Sequence, residues 1–335
     1  MNISILSDKE RIELFGRVQE KINLHTKSIE KDWWVTAVLR ALFALPYSEH
    51  LSFKGGTSLS KCYNLIERFS EDIDIAVYRD FLGYGGNLSK TQINDKLRRA
   101  ACSFVREKLQ FDVATQLENQ GIKSDLFSVQ VNITSVTTTD PEIIEVHYKS
   151  HYNEWSYLKP IVKIEVSGRS MNEPLRKVAL QSLIDKEFPD TSFADKPFEV
   201  NAVVPERTFL EKICLLHEEF AKPQEFMRTE RMSRHLYDLV KLDEAGISET
   251  ALKNKELYNS IVEHRRLFVG LKGFDYDTLA PKTIKIVPPD FIISEWQQNY
   301  ETMRETMIYG ESLPFNKLME KIKKLNKKIN KPYFY

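Results

Sequence analysis

Phe53-Lys54-Gly55-Gly56-Thr57-Ser58-Leu59-Ser60-Lys61, followed by Arg68-Phe69-Ser70-Glu71-Asp72-Ile73-Asp74-Ile75-Ala76-Val77, governs how the rest of the chain is read. The second stretch has strand periodicity, in which side chains alternate faces. Asp72 and Asp74 then share one face, while Ile73, Ile75 and Val77 point into a core. Two carboxylates so placed repel each other, and the arrangement makes physical sense if divalent cations sit between them and a polyphosphate. The Gly-Gly-Thr-Ser turn opens a helix, where backbone N–H groups approach phosphate closely and the helix N-terminus adds partial positive charge. Gly55, Gly56, Thr57 and Ser58 are therefore candidate nucleotide-binding residues, with Lys61 at the end of the same segment. Turn and strand occur in the order that nucleotidyl transfer needs.

The surrounding composition is that of a globular protein: 335 residues, 42% hydrophobic and 29% charged. That length accommodates one large core or two modest ones. Forty-eight basic residues balance 48 acidic ones, so attraction to nucleic acid must come from local basic patches. Cys62, Cys102 and Cys214 are odd in number and lie far apart, which argues against a disulfide framework or a cysteine zinc site and fits a reducing cytoplasm. No segment approaches the roughly 18 apolar residues of a membrane span, so no membrane partner is expected.

Periodicity predicts helices over 8–24 and 28–46, a strand at 51–54, a helix over 59–66 and the aspartate strand at 72–78. A glycine-containing flexible loop at 81–87, a plain surface loop or a mobile lid, precedes a long helix over 91–118. Alternating β-branched and aromatic residues mark further strands at 127–137, 143–148 and 158–166. A polar, proline-containing stretch around 185–197 has the character of a linker. Beyond Pro205 helices are expected at 206–220, 231–245, 249–270, 291–309 and 315–330, with an irregular or strand-like piece near 283–289. The fold class is α/β (α+β): N-terminal helices over 1–48, a mixed-sheet core over 49–170, a linker region over 171–204 and a mainly helical half over 205–335.

These residues resemble the nucleotidyltransferase superfamily, which sets a glycine-rich helix start beside a strand with two carboxylates and puts a third on a neighbouring strand. Glu165 is the candidate third carboxylate. Its strand has one apolar face (Val162, Ile164, Val166) and one polar face (Lys163, Glu165, Ser167). Within the superfamily the wording from Gly55 to Leu59 and from Arg68 to Asp74 is similar to the AbiEii/AbiGii toxin family. Two later segments also resemble that family: Glu206-Arg207-Thr208-Phe209-Leu210-Glu211-Lys212-Ile213, and Arg234-His235-Leu236-Tyr237-Asp238-Leu239. The family's metal-binding acids correspond to Asp72 and Asp74, its phosphate-binding lysine to Lys212 and its later active-site aspartate to Asp238. His235 stands where relatives often carry an acid. Arg231, Arg234 or His235, and Asp238 also have the spacing of one helix face, which a structural salt-bridge ladder would share.

The resemblance implies a Mg2+-dependent enzyme. Asp72 and Asp74 hold the metal, Glu165 or a water activates an acceptor hydroxyl, and Lys212 with the turn amides binds the outer phosphates of a nucleoside triphosphate. The helical half completes the cleft. The implied acceptor is the 3′ end of tRNA, and the implied partner is a cognate antitoxin, as in abortive-infection phage defence. Alternatives are transfer to a small-molecule or protein hydroxyl, and a non-catalytic binding module in a defence complex. Gly55–Lys61 is not a Walker A loop, because Ser60 replaces the glycine before the lysine. Lysines 317, 321, 323, 324, 327, 328 and 331 decorate a terminal helix as a solvated face or a contact for RNA phosphates.

Overall fold

The computed structural model of the protein describes residues 3–22, 24–70, 72–132, 141–152, 159–170 and 174–331. The chain forms two compact units, Met1–Cys62 with Phe69–Val203 and Tyr63–Arg68 with Val204–Tyr335. Parts of the expected strands at 127–137 and 158–166, namely 133–137 and 158, lie outside the described residues, as does Glu71 of the aspartate motif.

The first unit runs α1 (Asp8–Ile22), α2 (Thr26–Phe43), β1 (Leu51–Lys54), α3 (Gly55–Lys61), β2 (Asp72–Tyr78), α4 (Arg98–Phe104), α5 (Gln110–Asn119), β3 (Phe127–Val131), β4 (Glu142–Tyr148), β5 (Ile161–Ser170), β6 (Leu175–Leu180), α6 (Leu183–Glu187) and β7 (Phe198–Val203). A π-helical segment, Gln92–Leu97, leads into α4, and a second, Val105–Leu109, joins α4 to α5, making one helical run. One mixed sheet contains all seven strands in the order β3-β4-β5-β2-β1-β7-β6. At its centre β2 lies antiparallel to β1 and parallel to β5. Ile73 and Ile75 are fully buried, so the packing face of β2 is the one its alternation predicts.

Two sequence expectations for this unit need correction. The stretch read as a linker over 171–204 instead carries β6, α6 and β7, which extend the sheet beyond β1 through the parallel pair Phe53↔Ala202. Val200 and Ala202 are buried, whereas β6 is an edge strand whose Arg176 and Lys177 face solvent, so its alternation is faint. The helix expected over 59–66 starts at Gly55 and ends at Lys61, because Asn64 adopts a left-handed φ of 50°. The loop at 81–87 is anchored at its first residue. Phe81 stacks on Tyr47 and His50, with ring centroids 5.4 and 4.7 Å apart.

Helix α2 is buried nearly all round, including three consecutive charges, and each has a partner. Glu30 accepts from the Ser150 hydroxyl and from the His151 N–H at 2.9 Å. Lys31 donates to the Lys159 carbonyl at 3.0 Å. Asp32 pairs with Lys61 and accepts from the Leu183 N–H at 2.9 Å, joining α2, the end of α3 and the start of α6.

The second unit is helical: α7 (Pro205–Phe220), α8 (Ser233–Glu244), α9 (Ile247–Lys253), α10 (Lys255–His264), α11 (Ile293–Thr306) and α12 (Phe315–Ile329). Pro205 occupies the first turn of α7, where its missing N–H costs nothing. The helix expected over 249–270 breaks at Asn254, whose side chain accepts from the Leu257 N–H at 3.0 Å and so caps α10. Helix α12 buries Leu318, Ile322, Leu325 and Ile329 and packs on α8. Ile284 and Ile286, in the strand-like piece, are also buried, and their N–H groups donate to Asn330 and Asn326 of α12 at 3.1 and 2.9 Å. Among the described residues no helix is long and apolar enough to cross a membrane.

Candidate active site

Three carboxylates meet on the exposed side of the central strands. In the parallel pairing of β2 with β5, Asp72 lies opposite Lys163 and Asp74 opposite Glu165, and paired positions share a face. Asp74 also pairs with Lys54 at the end of β1, immediately before the glycine turn. Asp72, Asp74 and Glu165 are half-buried, in contrast to the sealed Ile73, Ile75, Ile164 and Val166 between them.

Gly55 makes this arrangement possible. Its φ is +79°, a conformation that favours glycine, and a Cβ placed on it would lie 1.8 Å from Asp74 Oδ2. The Asp74 carboxylate thus rests against the backbone of the turn. Thr57 is fully buried; its hydroxyl donates to the Asp72 backbone carbonyl and shares a 2.9 Å hydrogen bond with Ser70. These bonds tie the start of α3 to the start of β2 and fix the turn relative to the acids. Gly56 and Ser58 complete the first turn of α3, while Lys61 at its far end holds buried Asp32.

This geometry predicts that Gly55→Ala displaces Asp74. Backbone strain should cost about 1–2 kcal/mol, and a shift of the carboxylate by about 1 Å should lower transfer about 100-fold. Initial rates with labelled triphosphate, set beside a thermal melt, would measure both. Full activity in the alanine variant would show that the contact between Gly55 and Asp74 is immaterial.

Lys212 and Asp238 belong to the second unit, and neither lies on an outer surface; Lys212 is 7% exposed and Asp238 0%. Lys212 Nζ is 2.9 Å from Asp238 Oδ2 and 3.3 Å from His235 Nδ1. Asp238 also receives a two-pronged contact from Arg68, whose Nε and an Nη donate at 2.7 and 2.8 Å. Burial opposes ionisation of Asp238, but Arg68 and Lys212 outweigh it and hold the carboxyl well below the usual range. Burial lowers Lys212 from the ordinary ammonium range against the pull of Asp238. Burial, and then Lys212, keep His235 neutral, so its Nδ1 accepts from the ammonium and meets part of the need an acid would meet at that position.

Sequence reasoning assigns Arg68 no role of its own. Its only signal there was the family-like wording in which it stands, since the residue that it grips lies 170 positions away. The expected helical ladder is also incomplete. Arg231 precedes α8 and has a φ of +57°, so it cannot continue the face of Arg234 and Asp238.

The neutral histidines of the second unit make its stability pH-dependent. Burial lowers His217 to about 4 and His235 well below its ordinary 6.5. Below about pH 6.5 the unfolded chain binds these protons and the folded chain does not, so stability falls with pH and for His217 levels off near pH 4. The His217 share is about 3 kcal/mol at most. Denaturant melts at pH 7 and 4.5 should show a smaller acid loss for His217→Gln than for the wild type; equal losses would contradict its burial in the neutral form.

Among the described residues no group of three or more histidine, cysteine or carboxylate side chains is assembled to enclose a metal ion. The donor set nevertheless suits Mg2+, which is ordinarily held by one or two carboxylates together with substrate phosphates. Asp72 and Asp74 supply hard oxygen ligands on one face, and Asp74 rests against the backbone of the glycine turn at Gly55.

The family model described as nucleotidyl transferase AbiEii toxin, type IV toxin–antitoxin system, matches residues 37–322. The chain therefore belongs to the AbiEii family and is a nucleotidyltransferase. Among solved structures it is similar to MenT4, a nucleotidyltransferase toxin from Mycobacterium tuberculosis H37Rv, with 15% identity over 94% of this chain and 96% of that one and a TM-score of 0.43. It is also similar to JHP933 from Helicobacter pylori, with 14% identity over 92% of this chain and 98% of that one and a TM-score of 0.36. No curated protein matches the chain.

Proposed function

We propose that this nucleotidyltransferase moves a nucleoside monophosphate from a triphosphate to the 3′ end of tRNA. It does so in the cytoplasm, as a toxin restrained by a cognate antitoxin and used in abortive-infection phage defence. The observation that carries the reading is the shared face of Asp72, Asp74 and Glu165 with Asp74 seated against Gly55. Asp72 and Asp74 would hold Mg2+, whose bound charge offsets that of the triphosphate. Glu165 accepts the proton of the attacking hydroxyl, directly or through a water, as the new bond forms at the α-phosphorus. Pyrophosphate then leaves with the bonding electrons of the broken phosphoanhydride. The Gly55–Ser58 backbone positions the triphosphate, Lys212 takes its outer phosphates, and Asp238 orients Lys212 through their 2.9 Å contact.

Incubating the chain with Mg2+, each α-labelled triphosphate and total tRNA tests the reading. Label should enter tRNA with release of pyrophosphate and disappear when Mg2+ is chelated. Label found only on protein or on a small acceptor would replace tRNA as the acceptor. Absence of transfer under every condition would favour a binding module.

A further inference from the structure

A second charged site lies wholly within the helical unit. The end of α7, the segment around 278–285 and the last turns of α12 line an open cavity of about 610 Å³. Phe220 and Ile284 form its buried apolar floor, and Lys282, Lys285 and Lys327 stand among its lining residues, which include no carboxylate. None of the three lysines makes an ion pair among the described residues. Elsewhere on α12 the pattern differs. Lys317 pairs with Glu320 at 3.0 Å, Lys328 with Asp243 at 2.9 Å, and Lys321 with Glu244. Lys323, Lys324 and Lys327 of α12, and Lys331 two residues past its end, make no ion pair among the described residues and add to the basic charge beside the cavity.

The backbone at Lys282 is a second distinctive feature of this face. The Thr283 N–H donates to the Ala280 carbonyl at 3.2 Å, Pro281 is the second residue of this turn, and Lys282 has a φ of +81°. That is a type II turn, whose third position ordinarily takes glycine or asparagine. A lysine there carries backbone strain of the kind found where a side chain serves function. The turn is also fixed in place. His217 Nδ1 accepts from the Lys285 N–H at 3.0 Å, and Asn330 both accepts from the Ile284 N–H and donates to the Ile284 carbonyl.

We infer that this face is a docking site for the sugar-phosphate backbone of RNA, with Lys282, Lys285 and Lys327 each neutralising a phosphate oxygen. Lys323 and Lys327 stand about 6 Å apart along α12, and Lys331 follows just past the end of the helix, so the charge extends beyond what one phosphate group occupies. Phosphate contacts without base contacts position an RNA but do not read its sequence. The inference rests on the reading that the acceptor is RNA, and supplies it with a second foothold remote in sequence from Asp72 and Asp74.

The test is fluorescence anisotropy of labelled total tRNA and of polyuridylate across 50–200 mM salt, with the full chain and with Lys282→Ala/Lys285→Ala/Lys327→Ala. Three lost contacts should weaken binding about tenfold or more and lower the slope of log affinity against log salt by about 2. Lys282→Gly alone should weaken binding while its melting temperature stays level or rises by about 2 °C, because strain is relieved. Unchanged affinity and slope in the triple variant would overturn the inference and leave tRNA transfer standing. Lysine-dependent binding without any transfer to tRNA would keep the site and remove the acceptor. Full displacement of RNA by millimolar inorganic phosphate or ATP would make it a site for small phosphate compounds and overturn the inference.

Discussion

Asp74→Asn should reduce nucleotidyl transfer by a factor on the order of 10³, equivalent to about 4 kcal/mol of transition-state stabilisation. The amide keeps the size of the side chain, so the cradle against Gly55 remains filled. What disappears is one negative charge and one hard oxygen ligand from the face that also carries Asp72 and Glu165. Asp72→Asn should be of similar severity. Glu165→Gln should instead spare triphosphate binding and lower the rate, since its proposed task is to take a proton. All three side chains are half-buried on the open face of the sheet, so the melting temperature should stay within about 2 °C of the wild type. Labelled product per minute at saturating Mg2+ decides the matter; near wild-type turnover by Asp74→Asn would end the metal-ligand assignment.

The legibility of these acids in the sequence has a physical basis. A strand's two-residue period converts directly into faces, so Asp72 and Asp74 could be paired, and Ile73 and Ile75 assigned to the core, without coordinates. Glu165 followed because its strand has the same division between faces, and register then sets it opposite Asp74. Local patterns carry no information of this kind about pairing order. Strands β6 and β7 were missed because β6 is a polar edge strand and β7 follows a proline-containing polar run, although Phe198-Glu199-Val200-Asn201-Ala202 does alternate. Arg68 lay further out of reach. Nothing in its neighbourhood indicates a partner in α8, and the apparent ladder from Arg231 to Asp238 failed because α8 begins only at Ser233.

Asp238→Ala should unfold the helical unit more readily than its place in a family motif would suggest. The carboxylate is completely buried and engages two cations at once, Arg68 through two hydrogen bonds and Lys212 at 2.9 Å. Removing it leaves both cations buried without their counter-charge, a change that ordinarily costs about 3–5 kcal/mol. Against a total stability of roughly 5–15 kcal/mol this is a large share, and the melting temperature should drop by about 10 °C or more. A second variant separates fold from function. Arg68→Met with Asp238→Leu removes a charge of each sign from the buried pair and should regain part of the lost stability, as apolar replacement of buried ion pairs often does. It should not regain transfer, because Lys212 has lost the acid that orients it. A melting temperature for Asp238→Ala within 2 °C of the wild type would show that water reaches Arg68 and Lys212 freely. The tight cluster of Arg68, Lys212 and Asp238 would then not be what holds α7 and α8 together.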